Sequence, residues 1–333
     1  MTEQELKKIG FETQEQYSFP NILNLCVLRG ACPCQCVHCP VGITPKNERL
    51  GKFGNTSISL RLFKKIVREM SDFPHSTLRI HGVGDPILWK ALAGAVRIAF
   101  ENDVRTWLFT SLVTKDNQLL EDIGKYCDII EISVNSFDED DYKRTKRVDA
   151  FAQVKQNIEL LRNTAKQEKA STRIIVSRVE SEDKLYDLDF INYWKNSHLV
   201  DDAFIRTYHD YNALLENKFG GKQTEIVPCL VHWCRFNIDC DGTIVLCFNE
   251  LFKGKHPDET LVLGNIENQT IGEIWHGEKL NLVRKAQMEK DYSLVNFTNK
   301  LPCAECFSCQ SLIQKERPTS ECQVKLLTGE NHG

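Results

Sequence analysis

Residues 32–39 read CPCQCVHC, four thiols in eight residues directly after the apolar run NILNLCVLRG. Cys32, Cys36 and Cys39 stand in the spacing C-x3-C-x2-C, with Cys34 between the first two. Three thiolates on one short loop can hold three irons of a [4Fe–4S] cluster and leave the fourth iron open to a small molecule. Zinc competes, but structural zinc takes four closed ligands, usually from two separated C-x2-C pairs. His38 is a fourth donor on paper, yet its place beside Cys39 makes joint tetrahedral binding awkward.

A second set of thiols lies far along the chain. Cys229-x12-Gly242-x4-Cys247 is followed by Cys303-x2-Cys306, and four protein cysteines would close a site completely. Cys234 and Cys309 compete for places in that set, and a zinc-ribbon-like knot is the structural alternative. His276 is expected at a helix end or on the surface, and Trp275 in the core. The chain has 14 cysteines, in two groups with Cys127 alone between them. No apolar stretch has the ~20 residues needed to span a bilayer, and the polar N-terminus carries no signal-peptide core, so a reducing cytoplasm is expected. There clustered thiols are metal ligands or catalytic groups more often than disulfides. A net charge of −4 marks neither a nucleic-acid nor a membrane binder.

The elements that must position these thiols alternate. Strand patterns at 21–29, 77–81, 104–110, 129–134, 172–178 and 203–208 are separated by helix patterns at 59–70, 86–100, 117–126, 151–167 and 184–196. In the first helix Leu60, Phe63, Ile66, Val67 and Met70 share a face, with Ser59 as its N-cap. Six such units predict an α/β fold, a parallel sheet curved into a partial (β/α)6 TIM-like barrel, with functional groups at the C-terminal ends of its strands. The first cysteine loop lies at such an end, as do HGVGDP (81–86), TSL (110–112) and Asn135-Ser136. Beyond residue 210 come a loop at 219–225, a hairpin signal around Asp241-Gly242 and a helical segment at 270–287 broken at Gly277. Three regions follow: a polar lead over 1–20, the barrel over 21–210, and a small C-terminal domain of hairpin plus helix over 211–333.

The three-cysteine motif after a first strand resembles the signature of the radical S-adenosylmethionine (SAM) enzymes. The resemblance implies that the open iron chelates the amino and carboxylate groups of SAM. Reductive cleavage then yields methionine and a 5′-deoxyadenosyl radical, which abstracts a substrate hydrogen. Cys34 is out of register with the signature and is expected not to be a ligand. Gly82-Val83-Gly84-Asp85-Pro86 is similar to the family's Gly-Gly-Glu-Pro region, with Asp for Glu, and implies SAM contacts from Gly82, Gly84 and Asp85. Ser133 and Asn135, in Ser133-Val134-Asn135-Ser136, resemble the family's Ser-x-Asp-Ser strand end, and Arg178 is a further candidate for SAM. Thr110-Ser111-Leu112 departs from the common Thr-Asn-Gly and receives no role. The tail resembles the auxiliary-cluster extension called SPASM or, when short, twitch, most like that of 2-deoxy-scyllo-inosamine dehydrogenase. Position 312, where the full pattern has its next cysteine, is leucine, so one auxiliary [4Fe–4S] cluster is implied, on Cys229, Cys247, Cys303 and Cys306.

The function expected is hydrogen abstraction from a small polar substrate (a carbohydrate, aminocyclitol or nucleoside-like molecule) for dehydrogenation or epimerisation, with a flavodoxin or ferredoxin as electron donor. Spare thiols at Cys234, Cys240 and Cys309 would suit epimerisation, although each is more often a small buried hydrophobe. A peptide maturase is the alternative, disfavoured by the short lead before the first strand. A non-catalytic iron–sulfur or zinc-binding protein is the third reading.

Overall fold

The computed structural model describes residues 15–216 and 226–306, together with Gln4 and Lys218. The loop expected at 219–225, Cys309 and Leu312 lie outside the described residues. Six parallel strands appear where the apolar runs predict them: β1 (Ile22–Arg29), β2 (Thr77–Val83), β3 (Arg105–Thr110), β4 (Ile129–Ser133), β5 (Arg173–Val179) and β6 (Asp202–Arg206). The helices between them are α1 (Pro40–Ile43), α2 (Lys46–Phe53), α3 (Leu60–Met70), α4 (Leu92–Glu101), α5 (Asn117–Tyr126), α6 (Glu139–Lys146), α7 (Phe151–Gln167) and α8 (Lys184–Asn196).

Alternation along the strands divides two environments. Leu23, Leu25 and Val27 of β1 join the main core beneath the helices. The other face closes one end of the barrel with Ile22, Trp107, Ile129, Ile175 and Phe204. One pleat further along, Asn24, Arg79, Glu131, Ser177 and Arg206 replace that apolar plug with polar side chains, set around the ring of Phe109. The cysteine loop follows the last residue of β1.

Local signals explain most helix limits. Ser59 accepts from Leu62 N at 3.2 Å and starts α3 as expected. Leu60, expected on its buried face, is exposed, and Leu62 is buried instead, four residues before Ile66 on the same stripe. The helix expected from Pro86 begins only at Leu92, because Pro86–Leu88 forms a separate 3-10 turn capped by Asp85, whose carboxylate accepts from Ile87 N at 3.1 Å. Helix α6 has no apolar stripe. Its Asp138 cap, three acidic residues in its first turn and three basic ones in its last complement the helix dipole instead.

The C-terminal segment contains α9 (Leu230–Trp233), β7 (Arg235–Ile238), β8 (Thr243–Val245), β9 (Val262–Asn265), α10 (Ile271–Trp275) and α11 (Glu278–Glu289). The hairpin and the break at Gly277 stand where the sequence places them. Strand β7 pairs parallel with β1, in register Ile22↔Arg235 to Leu25↔Ile238. The order is therefore β6-β5-β4-β3-β2-β1-β7-β8-β9, one sheet running through both halves. Among the described residues no helix is long and apolar enough to cross a membrane.

Candidate active site

The loop after β1 is held from three sides. Arg49 on α2, 2 % exposed, donates to the carbonyls of Cys34 (2.8 Å), Cys32 (3.3 Å), Gly42 (3.1 Å) and Thr44 (3.0 Å). The end of α6 supplies two acceptors, Lys146 O for Gln35 N at 2.8 Å and Thr145 O for Val37 N at 3.0 Å. On the third side Gly42 of α1 meets Cys36, where a Cβ would lie 2.2 Å from the Cys36 carbonyl oxygen. Cys32, Cys36 and Cys39 thereby line one cavity of about 250 Å³. Cys34 also lines it, and the adjoining Cys32 thiol pushes Cys34 up to about 12. Burial drives His38 down to about 3, so it is neutral.

The rim comes from the neighbouring strand ends. At Gly82 and Gly84 a Cβ would lie 2.8 Å from Leu28 O and 2.4 Å from Ala31 O, so β2 approaches the cysteine loop as only glycine permits. Both line the cavity with Asp85. Asp85 is buried and its carboxylate is filled: Thr110 Oγ1 donates at 2.8 Å, Ser111 N at 2.9 Å, and the Ser111 hydroxyl as well. Thr110 and Ser111 thus acquire a role, holding Asp85 in place.

Ser133 lines the cavity too, and Lys146 Nζ donates to its Oγ at 3.1 Å. Lys146 was not evident in the sequence, where it is one cation in a charged stretch. Here it is 1 % exposed at the cysteine loop. Burial lowers its pKa, but the Cys36, Cys34 and Cys32 thiols and Asp85 outweigh burial and keep the ammonium charged. Asn135 and Arg178 do not line the cavity. Asn135 binds Val179 N through Oδ1 at 2.8 Å, and Arg178 pairs with Asp187 at 2.8 Å and Asp141 at 3.2 Å beneath Tyr186. Those two knit β4, β5 and α8 together behind the rim.

Cys229, Cys247, Cys303 and Cys306 line the same cavity. Burial pushes the Cys303 thiol up, and Cys247, Cys229 and Cys306 push it further. Four thiolates this close repel one another, and metal charge is what makes such a set viable. Among the described residues no three His, Cys, Asp or Glu side chains meet closely enough to share one ion. A four-iron cluster, with one thiolate per iron, takes its ligands from further apart. Both cysteine sets therefore suit [4Fe–4S] clusters in residue type, burial and grouping. Cys234 packs instead with Leu230, Trp233 and Tyr17, and Cys240 lies in the hairpin turn against Thr56. Trp275 is buried and His276 exposed, as expected.

A hydrogen-bond chain backs the second set. Gln287 Oε1 accepts from Trp233 Nε1 (2.8 Å) and Cys229 N (3.3 Å), which turns its amide nitrogen to His232 Nδ1 at 2.8 Å. Burial holds His232 down near 4, so the neutral ring carries its proton on Nε2, 3.8 Å from Cys303 Sγ. No sequence spacing announces that contact.

The radical SAM superfamily profile matches residues 27–190, and the SPASM profile, an iron–sulfur cluster-binding domain, matches residues 229–310. Among solved structures, Streptococcus suis SuiB bound to precursor peptide SuiA superposes with a TM-score of 0.62 at 13 % identity, covering 93 % of this chain and 72 % of that one. Native anSMEcpe with bound AdoMet gives 0.58 at 12 % identity, covering 92 % and 97 %. BtrN in complex with AdoMet and 2-DOIA gives 0.47 at 15 % identity, covering 81 % and 87 %. Among curated proteins none matches the sequence significantly.

Proposed function

The chain belongs to the radical SAM superfamily and carries a SPASM domain, and from that premise we propose that it abstracts hydrogen from a small polar substrate, leading to dehydrogenation or epimerisation. The supporting observation is that both cysteine sets line one cavity of about 250 Å³, so the space open to a substrate adjoins both. When bound, the first cluster and SAM supply a 5′-deoxyadenosyl radical, and the auxiliary cluster supplies a neighbouring redox or binding centre.

The rest falls to the chain's own side chains. In this reading Cys32, Cys36 and Cys39 hold the first cluster, and Cys229, Cys247, Cys303 and Cys306 the auxiliary one. Gly82, Gly84 and Ser133 offer backbone and hydroxyl contacts to SAM, and Lys146 adds a buried cation beside Ser133 for its carboxylate. Asp85, filled by Thr110 and Ser111, fixes the shape of that rim. Phe248 and Phe252 wall the space against water.

Anaerobic reconstitution should give about eight irons per chain, and reduced enzyme with SAM should release 5′-deoxyadenosine. Zinc in place of iron would refute the reading. Deuterated polyols and aminocyclitols are then offered beside deuterated peptides. Deuterium entering 5′-deoxyadenosine from the small molecules supports the proposed substrate class, and transfer from a peptide alone overturns it in favour of a maturase.

A further inference from the structure

The polar layer just above the apolar plug contains a charge imbalance. Arg206 holds Glu131 through two contacts, one of them Nε to Oε1 at 2.5 Å. Arg79, on β2, lines the cavity and is only 7 % exposed. Its nearest carboxylate oxygen, on Glu131, lies at 3.7 Å and is already bonded to Arg206. The Arg79 side chain makes no hydrogen bond among the described residues, and its buried Nε has no partner. It rests instead over the rings of Trp107 and Phe109, at 4.8 and 5.3 Å.

A buried guanidinium that shares its one carboxylate with a second arginine is costly unless a ligand completes it. Burial, then the neighbouring Arg206, press Arg79 down to about 9, which registers that cost. Each cysteine set has a buried cation of its own: Lys146 faces Cys36 and Cys32, and Arg235 faces Cys229 and Cys247. The charged groups acting on Arg79 are Arg206, Glu131 and Arg235, with Tyr211 beyond them.

Beside it stands a second unfilled group. Asn24 pairs in register with Arg79 across β1 and β2 and also lines the cavity. Its Nδ2 donates to Asn237 Oδ1 at 3.0 Å, which leaves its buried Oδ1 without a donor. A cationic donor and a neutral acceptor thus lie side by side at the inner end of the cavity.

We infer that the substrate carries an anionic group, a carboxylate or a phosphate, that pairs with Arg79, next to a hydroxyl or amine that donates to Asn24. The inference rests on the proposed function and narrows it. An unmodified aminocyclitol, itself a cation at neutral pH, is disfavoured by this surplus positive charge, whereas a sugar acid or sugar phosphate fits it.

The test uses the reconstituted enzyme saturated with SAM, so that the SAM site is filled. Inorganic phosphate, acetate and glycerol are titrated at constant ionic strength, and binding is read by calorimetry. Saturable binding of phosphate or acetate, but not glycerol, is expected, and which of the two anions binds identifies the group. Arg79→Gln should weaken that binding about tenfold or more, Arg79→Lys less, and Asn24→Asp, which places a negative charge beside Arg79, about tenfold. Iron content of each variant reports folding, and Asn24→Asp carries the test if Arg79→Gln fails to fold. No saturable binding of either anion to the wild type, or equal binding to the correctly folded variants, overturns the inference. Wild-type enzyme that holds iron but releases no 5′-deoxyadenosine overturns the proposed function instead.

Discussion

Two buried side chains behind the thiols define the chemistry at the scale of single residues. Lys146 is a fully buried ammonium whose one side-chain hydrogen bond among the described residues is to a neutral hydroxyl, so the anionic groups before it justify its charge. No carboxylate of the described residues pairs with this ammonium, so in the iron-free protein an apolar side chain in its place relieves its desolvation cost. Lys146→Met is therefore expected to keep or raise the melting temperature of the iron-free protein while weakening SAM binding about tenfold, measured by thermal scanning and equilibrium dialysis. His232 acts through Cys303. A donor to a ligand sulfur stabilises the reduced cluster, so His232→Leu should lower the auxiliary potential by on the order of 50 mV, about a tenfold change in a one-electron equilibrium. Redox titration followed by electron paramagnetic resonance reads it. The cysteines were legible from spacing alone. Lys146, Arg49 and His232 were not, because isolated Lys, Arg and His are ordinary until the fold buries them against something.

Short elements with little sequence signal do the positioning. Helix α1 has four residues, yet its Gly42 sits so near Cys36 that a Cβ would lie 2.2 Å from the carbonyl oxygen and 2.5 Å from the nitrogen. Gly42→Ala must shift the cysteine loop. The expected result is loss of the first cluster with retention of the auxiliary one, iron falling from about eight to about four per chain. Helix α6, which no hydrophobic period predicts, pins the same loop through Thr145 O and Lys146 O. Periodicity located α3, α5, α7 and α8 because each must bury a stripe, whereas α2 and α6 are fixed by caps, end charges and tertiary hydrogen bonds.

The two halves are joined by more than the chain across the whole molecule. Strand β7 extends the barrel sheet beyond β1, and Arg29, last in β1, reaches Asp239 in the hairpin turn with two contacts of 2.9 Å. The same guanidinium donates to Phe53 O at 2.8 Å and Leu251 O at 3.0 Å. Removing one partner of such a buried pair costs about 3–5 kcal/mol. Asp239→Asn should therefore lower the denaturation midpoint of both halves in a single transition, seen as coincident fluorescence and iron-release curves. An early transition confined to the hairpin would contradict that coupling. The sequence alone determined the succession of barrel strands, the hairpin and which thiols are candidates for iron, because alternation, turn residues and C-x3-C-x2-C spacing act over a few neighbouring residues. Only the tertiary structure decided that both cysteine sets face one cavity, that Arg178 and Asn135 lie outside its lining, and that Arg79 must share Glu131 with Arg206. Those outcomes depend on which strand lies beside which and on how charges balance across the barrel, and local sequence carries neither.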